Sequence, residues 1–236
     1  TSLEPEDGTV DQRTIDFYVE RARGGAALLI VGVGSIDHPY GLALTNQLGL
    51  SDDKFIPGLK KLADAVHVNG AKLAIQLHHA GKVAMSDFGR GIDMVSASEL
   101  SAGGSEILQD MASTEIPRLM QQFSKKPPHN TTLALTREQI KDYTRKYAEA
   151  AARCKKAGLD GVEIHAAHGY LIANFLSPHT NKRSDEYGGE LRNRARFLLE
   201  IIAAIREKVG RDYPVWCRID GREFEIENGI TIEDSK

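Results

Sequence analysis

Gly161-Val162-Glu163-Ile164-His165 is the stretch from which the rest of the chain is read. It reads as a strand, and side chains alternate across a strand, so Glu163 and His165 share one face while Val162 and Ile164 share the other. Upstream, Thr136-Arg137-Glu138-Gln139 forms a capping box, and behind it Ile140, Tyr143, Tyr147, Ala150 and Cys154 keep helical spacing until Gly158. Downstream, Arg192 to Val209 carries Leu198, Ile201, Ile202, Ile205 and Val209 on one helical face, and Val215 to Ile219 is a further strand.

The same alternation fills the N-terminal part. A helix from about Asp11 shows Ile15, Tyr18, Val19 and Ala22 on one face, stops at Gly24-Gly25, and leads into a strand over Ala26 to Val31. A second helix has Leu59, Leu62, Ala63 and Val66 apolar and Gly70 as its stop, and Lys72 to Leu77 follows as a strand. Strands separated by helices predict parallel βαβ units. A dinucleotide-binding doubly wound sheet would carry a GxGxxG turn after its first strand, and the nearest candidate, Gly32-Val33-Gly34, lacks the third glycine in place. The expected fold is therefore α/β, a (β/α)8 barrel, in which catalytic groups sit where strands end. Gln76, His165 and Arg218 are read as those ends. Ala74 with Gln76, and Trp216 with Arg218, repeat the parity of Glu163 with His165.

The 236 residues, 41% hydrophobic and 27% charged, exclude a disordered or collagen-like chain and allow one large domain. A formal net charge of -3 offers no basic field for nucleic acid or an anionic membrane. No apolar run reaches the roughly 18 residues of a spanning helix. Cys154 and Cys217 are too few for a disulfide framework, which points to a reducing, cytoplasmic compartment. The chain opens at Thr1 with no leader pattern, so the expectation is an unsecreted piece of something longer.

His165, His168 and Tyr170 put two imidazoles and a phenol within six residues just after a strand. Neutral imidazoles can polarise a carbonyl oxygen and a phenol can deliver a proton to carbon. The competing readings are a metal pair, with His78 or His79 as third ligand, and histidines satisfied within the fold. Gln76 offers an amide that both donates and accepts, suited to a heterocycle edge, or else simply bonds a neighbouring loop. Arg218 brings a fixed charge into a strand, for an anion or for an ion pair with Glu163 or Asp220. The segment from Asn181 to Arg196 reads as an interlocked structural loop. A long loop or cap insertion at about 84–134 includes Lys125-Lys126-Pro127-Pro128, taken as surface.

HAAHGYLIANFLSPHTNKRSDEYGG (165–189) followed by LRNRARF (191–197) resembles the old yellow enzyme family of flavin-dependent ene reductases. YVERARGGAALLIVGVGSI (18–36), QLHHAGK (76–82) and VWCRID (215–220) extend the resemblance over essentially the whole chain, with HAAHGYL and QLHHAGK closer to the branch of 2,4-dienoyl-CoA reductase, 2-enoate reductase and bile-acid enoate oxidoreductases than to the yeast enzymes. It implies an NAD(P)H-dependent enzyme reducing the C=C bond of α,β-unsaturated carbonyl compounds, with hydride from the N5 of FMN. Gln76, Arg218 and the backbone at Val33 would bind FMN. His165 and His168 would hold the substrate carbonyl, and Tyr170 would give the proton. The four strong strands resemble the family's second to fifth, so residues 1–236 are expected to be a partial FMN-binding barrel domain. A 4Fe-4S cluster and FAD would belong to a longer parent protein. Open strand edges predict aggregation or a homo-oligomer. Rival expectations are a non-enzymatic half barrel and a metal-dependent hydrolase using His165 and His168.

Overall fold

The computed structural model describes residues 4–101 and 131–236. Helix α1 (Gln12–Arg23) starts on Asp11, whose carboxylate accepts the Thr14 N–H, and leads to β1 (Leu28–Ser35). A two-residue strand β2 (Leu48–Gly49) precedes α2 (Ile56–Val68), which opens with a proline in its first turn, and β3 (Lys72–His78). Then come α3 (Met85–Arg90), β4 (Met94–Ser96), β5 (Leu100–Ser101) and β6 (Thr131–Ala134). The long helix α4 (Arg137–Lys156) carries the expected capping box: the Thr136 hydroxyl accepts the Gln139 N–H and the Gln139 side chain accepts the Thr136 N–H. It is followed by β7 (Gly161–Ala166), α5 (Leu171–Leu176), α6 (Leu191–Arg194), α7 (Arg196–Val209) and β8 (Val215–Ile219).

Five strands form one parallel sheet in the order β2-β1-β3-β7-β8. From β1 to β8 the order only advances. With right-handed crossovers, an order that never reverses puts every connecting helix on the same face, whereas a doubly wound sheet reverses and covers both. The sheet is therefore an arc of a (β/α)8 barrel. Leu29, Val31, Leu73, Ile75, Leu77, Val162 and Ile164 pack under the helices with Leu59, Leu62, Val66, Tyr147, Cys154, Ile201 and Ile205 in one core. On the other face Leu28 and Ile30 are 48% and 40% exposed, which marks the concave, inner side.

Several boundaries differ from the sequence reading. β1 continues past Val31 to Ser35 through a register shift between Val31 and Gly34, so Val33 lies within a bulge rather than at a strand end. β3 continues to His78, because Gly34 and Ser35 of β1 pair with Leu77 and His78; Gln76 therefore sits two residues before the end. The expected continuous helix from Arg192 is broken at Ala195, where buried Arg194 turns its guanidinium to Leu176 O and Gly189 O.

Within 84–134, residues 102–130 and the Lys125-Lys126-Pro127-Pro128 cluster lie outside the described residues. The described flanks form a small sheet, β4-β6-β5. It is tied to the barrel by Arg183, whose Nη1 donates to Ala97 O (2.9 Å) and Leu135 O (2.7 Å) while Nε and Nη2 grip Asp185. Loops are held in shape this way when one guanidinium satisfies several buried acceptors. Arg183→Ala should cost roughly 3 kcal/mol in denaturant unfolding, by stranding two carbonyls and a carboxylate. Arg183→Lys should recover less than half of that loss, since an ammonium cannot make the paired contact.

Candidate active site

Because β3, β7 and β8 pair without stagger, their inner-face side chains fall into rows. Gln76, Glu163 and Trp216 form one row, and His165 with Arg218 stands in the next, beside His78 at the end of β3. In the lower row Gln76 Nε2 donates to Glu163 Oε1 at 2.5 Å and Trp216 Nε1 donates to Glu163 Oε2 at 2.7 Å. In the upper row His165 is 3% exposed and His78 is fully buried.

The loop after β7 folds back over this row. Tyr170 lies edge-on to His165 at 4.7 Å between ring centroids and to His78 at 4.4 Å; His165 is edge-on to His168 at 5.0 Å. The structure thus brings His165, His168 and Tyr170 together as the sequence reading expects, and adds His78, both of whose ring nitrogens are buried without a hydrogen-bond partner. Its signal was available: it shares the parity of Gln76, two residues on. His79, the other residue considered as a third ligand, faces away from the site toward Tyr143, at 4.8 Å between ring centroids. Among the described residues no group of three or more His, Cys, Asp or Glu side chains is arranged to hold a metal ion.

The loop holds a strained turn. His168 (φ 59°) and Gly169 (φ 67°) are both left-handed, which costs a residue with a side chain about 1–2 kcal/mol. The cost is offset at the backbone: the His168 N–H donates to both oxygens of Asp220, just past β8, at 2.9 and 3.0 Å. Asn174 Nδ2 donates to Gly169 O at 2.7 Å and closes the turn from the other side. Burial raises the Asp220 carboxyl above its ordinary value, against the pull of that N–H. Sequence reading saw Asp220 only as a partner for Arg218. The observed pairings of Glu163 and Asp220 correct that reading: both carboxylates are turned to other donors, and Arg218 stands exposed at the end of β8.

The electrostatics follow from burial. Desolvation, helped by nearby His168 and Arg218, holds the His165 imidazole down to about 3, so it is neutral at pH 7. Its Nδ1 accepts the Ala167 N–H at 3.3 Å, which leaves the proton on Nε2 as a donor. His79 is likewise held to about 3 by burial, and His78 well below its ordinary value by burial and the neighbouring histidines. Burial pushes the Tyr170 phenol up, so it stays protonated and able to give a proton. An unfolded chain protonates these three histidines near pH 6.5 while the folded one does not, so it binds more protons below that pH. Stability is therefore lost as pH falls through the window from about 6.5 toward 3. Between pH 6 and 5 the unfolding free energy, measured by urea titration, should fall by about 1.2 kcal/mol for each of His79 and His165, with His78 adding in the same direction. A flat profile there would contradict their neutral burial.

The chain resembles known proteins over its length. It is 42% identical over 236 residues to an NADH oxidase of Thermoanaerobacter brockii, covering 100% of this chain and 33% of that protein. It is 35% identical over 233 residues to an NADH:acrylate oxidoreductase of Vibrio harveyi, covering 97% of this chain and 21% of that protein. Among solved structures it superposes on 2-naphthoyl-CoA reductase in complex with 2-naphthoyl-CoA with a TM-score of 0.83 and 33% identity, covering 99% of this chain and 34% of that one. It thus spans about a third or less of the length of these relatives. The model of one family matches residues 1–235, and with the barrel arc and the clustered inner-face residues it leads to one conclusion: the chain belongs to the NADH:flavin oxidoreductase / NADH oxidase family, that of the old yellow enzymes.

Proposed function

We propose that the chain contributes the catalytic face of an FMN-dependent ene reductase, which uses NAD(P)H to reduce the C=C bond of α,β-unsaturated carbonyl compounds. The observation that carries this reading is the packing of His165, His168 and Tyr170 above the row that contains Gln76. A carbonyl-polarising pair and a protonated phenol are the groups that alkene reduction requires at carbon. Two relatives support the substrate class by name, one acting on acrylate and one solved with an aromatic acyl-CoA.

The inner face suits a flavin. Gly32, in the β1 bulge, lies beside Gln76: among the described residues, a Cβ built on it would come 3.7 Å from Gln76 Oε1. Gln76 offers an amide and Arg218 an exposed cation on the same face, while Val33, in the bulge, would add backbone contacts. These residues would hold FMN, which when bound supplies hydride taken from NAD(P)H to the β-carbon of the alkene.

The remaining chemistry belongs to the protein. His165, as the Nε2–H tautomer, and His168 would donate hydrogen bonds to the substrate's carbonyl oxygen and stabilise the enolate charge that develops as hydride arrives. Tyr170 would transfer its hydroxyl proton to the α-carbon, so that one hydride and one proton add across the double bond. A neutral His165 serves better here than a charged one would, because the site need not bury that cation before the substrate's charge appears. This reading places the enzyme in the cytoplasm, where its free thiols Cys154 and Cys217 stay reduced.

The test begins with the absorption of the purified protein after FMN is added and the excess removed. A retained flavin band that is lost in Gln76→Ala or Arg218→Ala supports the cofactor assignment; a folded protein that retains none defeats it. Tyr170→Phe should retain flavin and its reduction by NAD(P)H yet lose about 10²-fold or more in alkene reduction. Unchanged alkene turnover would remove Tyr170 as the proton donor.

A further inference from the structure

Glu163 lies in the row below the histidines and has no part in the chemistry above. It is 8% exposed, and each oxygen is engaged: Oε1 by Gln76 Nε2 and Oε2 by Trp216 Nε1. A carboxylate accepts and an indole N–H only donates, so Glu163 has no donor to offer the Gln76 amide. The amide nitrogen must therefore face Glu163. Its oxygen is turned the other way, toward Gly32 in β1, where a Cβ built on that glycine would lie 3.7 Å from Oε1. A hydrogen bond to a carboxylate favours this orientation over its reverse by more than about tenfold.

We propose that Glu163 is a positioning residue that locks the Gln76 carboxamide so that the site presents an acceptor, not a donor, and so selects a ligand edge that carries an N–H. The proposal rests on the flavin reading above. The oxidised isoalloxazine has a single N–H, at N3, while its carbonyl oxygens and remaining unsubstituted ring nitrogens only accept. An acceptor fixed at Gln76 can therefore pair with the flavin ring at N3 alone. Trp216 Nε1 satisfies the second carboxylate oxygen, while Oε1 alone meets the amide. The three residues belong to three neighbouring strands in register, so the device is built into the sheet.

Glu163→Gln preserves shape but adds a donor. With its oxygen kept on the Trp216 N–H, its own NH2 faces Gln76, which turns its oxygen inward and presents its nitrogen to the site. Dissociation constants for FMN and N3-methyl-FMN should then separate the roles. The unaltered protein should bind the methylated flavin roughly tenfold more weakly, the value of one neutral hydrogen bond. In Glu163→Gln this ratio should collapse to near one. An equal loss of affinity for both flavins, with the ratio kept, would make Glu163 merely structural and overturn the proposal. If Glu163→Gln does not fold, Trp216→Phe replaces it: the carboxylate stays on Gln76 and the ratio should persist, whereas its loss would count against the lock.

A flavin-free measurement separates this from the function reading. In 15N-labelled protein the Gln76 side-chain NH2, assigned by its loss in Gln76→Ala, should be protected from water exchange and should shift in Glu163→Gln. A freely exchanging, unshifted NH2 overturns the proposal whether or not flavin binds. A locked NH2 in a protein that binds no FMN overturns the flavin reading, and the selection of N3–H falls with it.

Discussion

The site depends on the register between β3, β7 and β8. Those strands pair residue for residue, Gln76 with Glu163 and Glu163 with Trp216, then His165 with Arg218. A slip of one residue would turn each of these side chains into the helix layer and bring Leu77, Ile164 and Cys217 to the inner face. The slip is prevented from the outside. Leu73, Ile75 and Leu77 on β3, with Val162 and Ile164 on β7, are fully buried under α2, α4 and α7. At about 1.5–3 kcal/mol for each large apolar side chain, that burial outweighs any pairing the polar residues could gain elsewhere. The polar rows are thus a by-product of apolar packing on the opposite face.

What the rows then contain is set by the cost of burying charge. His78 and His165 lie where a proton would be expensive, and both stay neutral. The buried carboxylate among them, Glu163, is tolerated because two donors meet it, one on each oxygen. Arg218, whose guanidinium cannot shed its charge, sits at the exposed end of β8. Neutral imidazoles thus lie inside, and the cation stands at the rim.

The loops over the sheet are held by backbone as much as by side chains. The Leu171 N–H donates to His79 O at 3.1 Å and the Ala80 N–H to Gly41 O at 2.8 Å, so the loops after β1, β3 and β7 are stitched together at the barrel mouth. Gly81 has φ 61°, and a Cβ there would meet the Leu171 Cα at 2.8 Å, so only glycine permits the approach. His168 occupies the same left-handed region without that freedom, which is why the Asp220 carboxylate beneath its N–H matters to the shape of the turn.

Local patterns in the chain determined the elements. The Thr136 capping box and the helical spacing up to Gly158 mark α4 nearly to the residue, and period-two parity alone assigns Gln76, Glu163, His165, Trp216 and Arg218 to one face. The spacing within residues 165–170 was also enough to single out His165, His168 and Tyr170, because a short loop keeps its side chains near one another. Only the tertiary structure decided the partners. Gln76 and Glu163 are 87 residues apart, and no local period relates them. The sequence could name Glu163 or Asp220 as an ion-pair partner for Arg218, but whether either carboxylate was free depended on which donors the register and the β7 loop brought to it. Helical and strand periods are properties of one segment's backbone, whereas a hydrogen bond between strands depends on how separate segments are packed, and that is settled by the whole core at once.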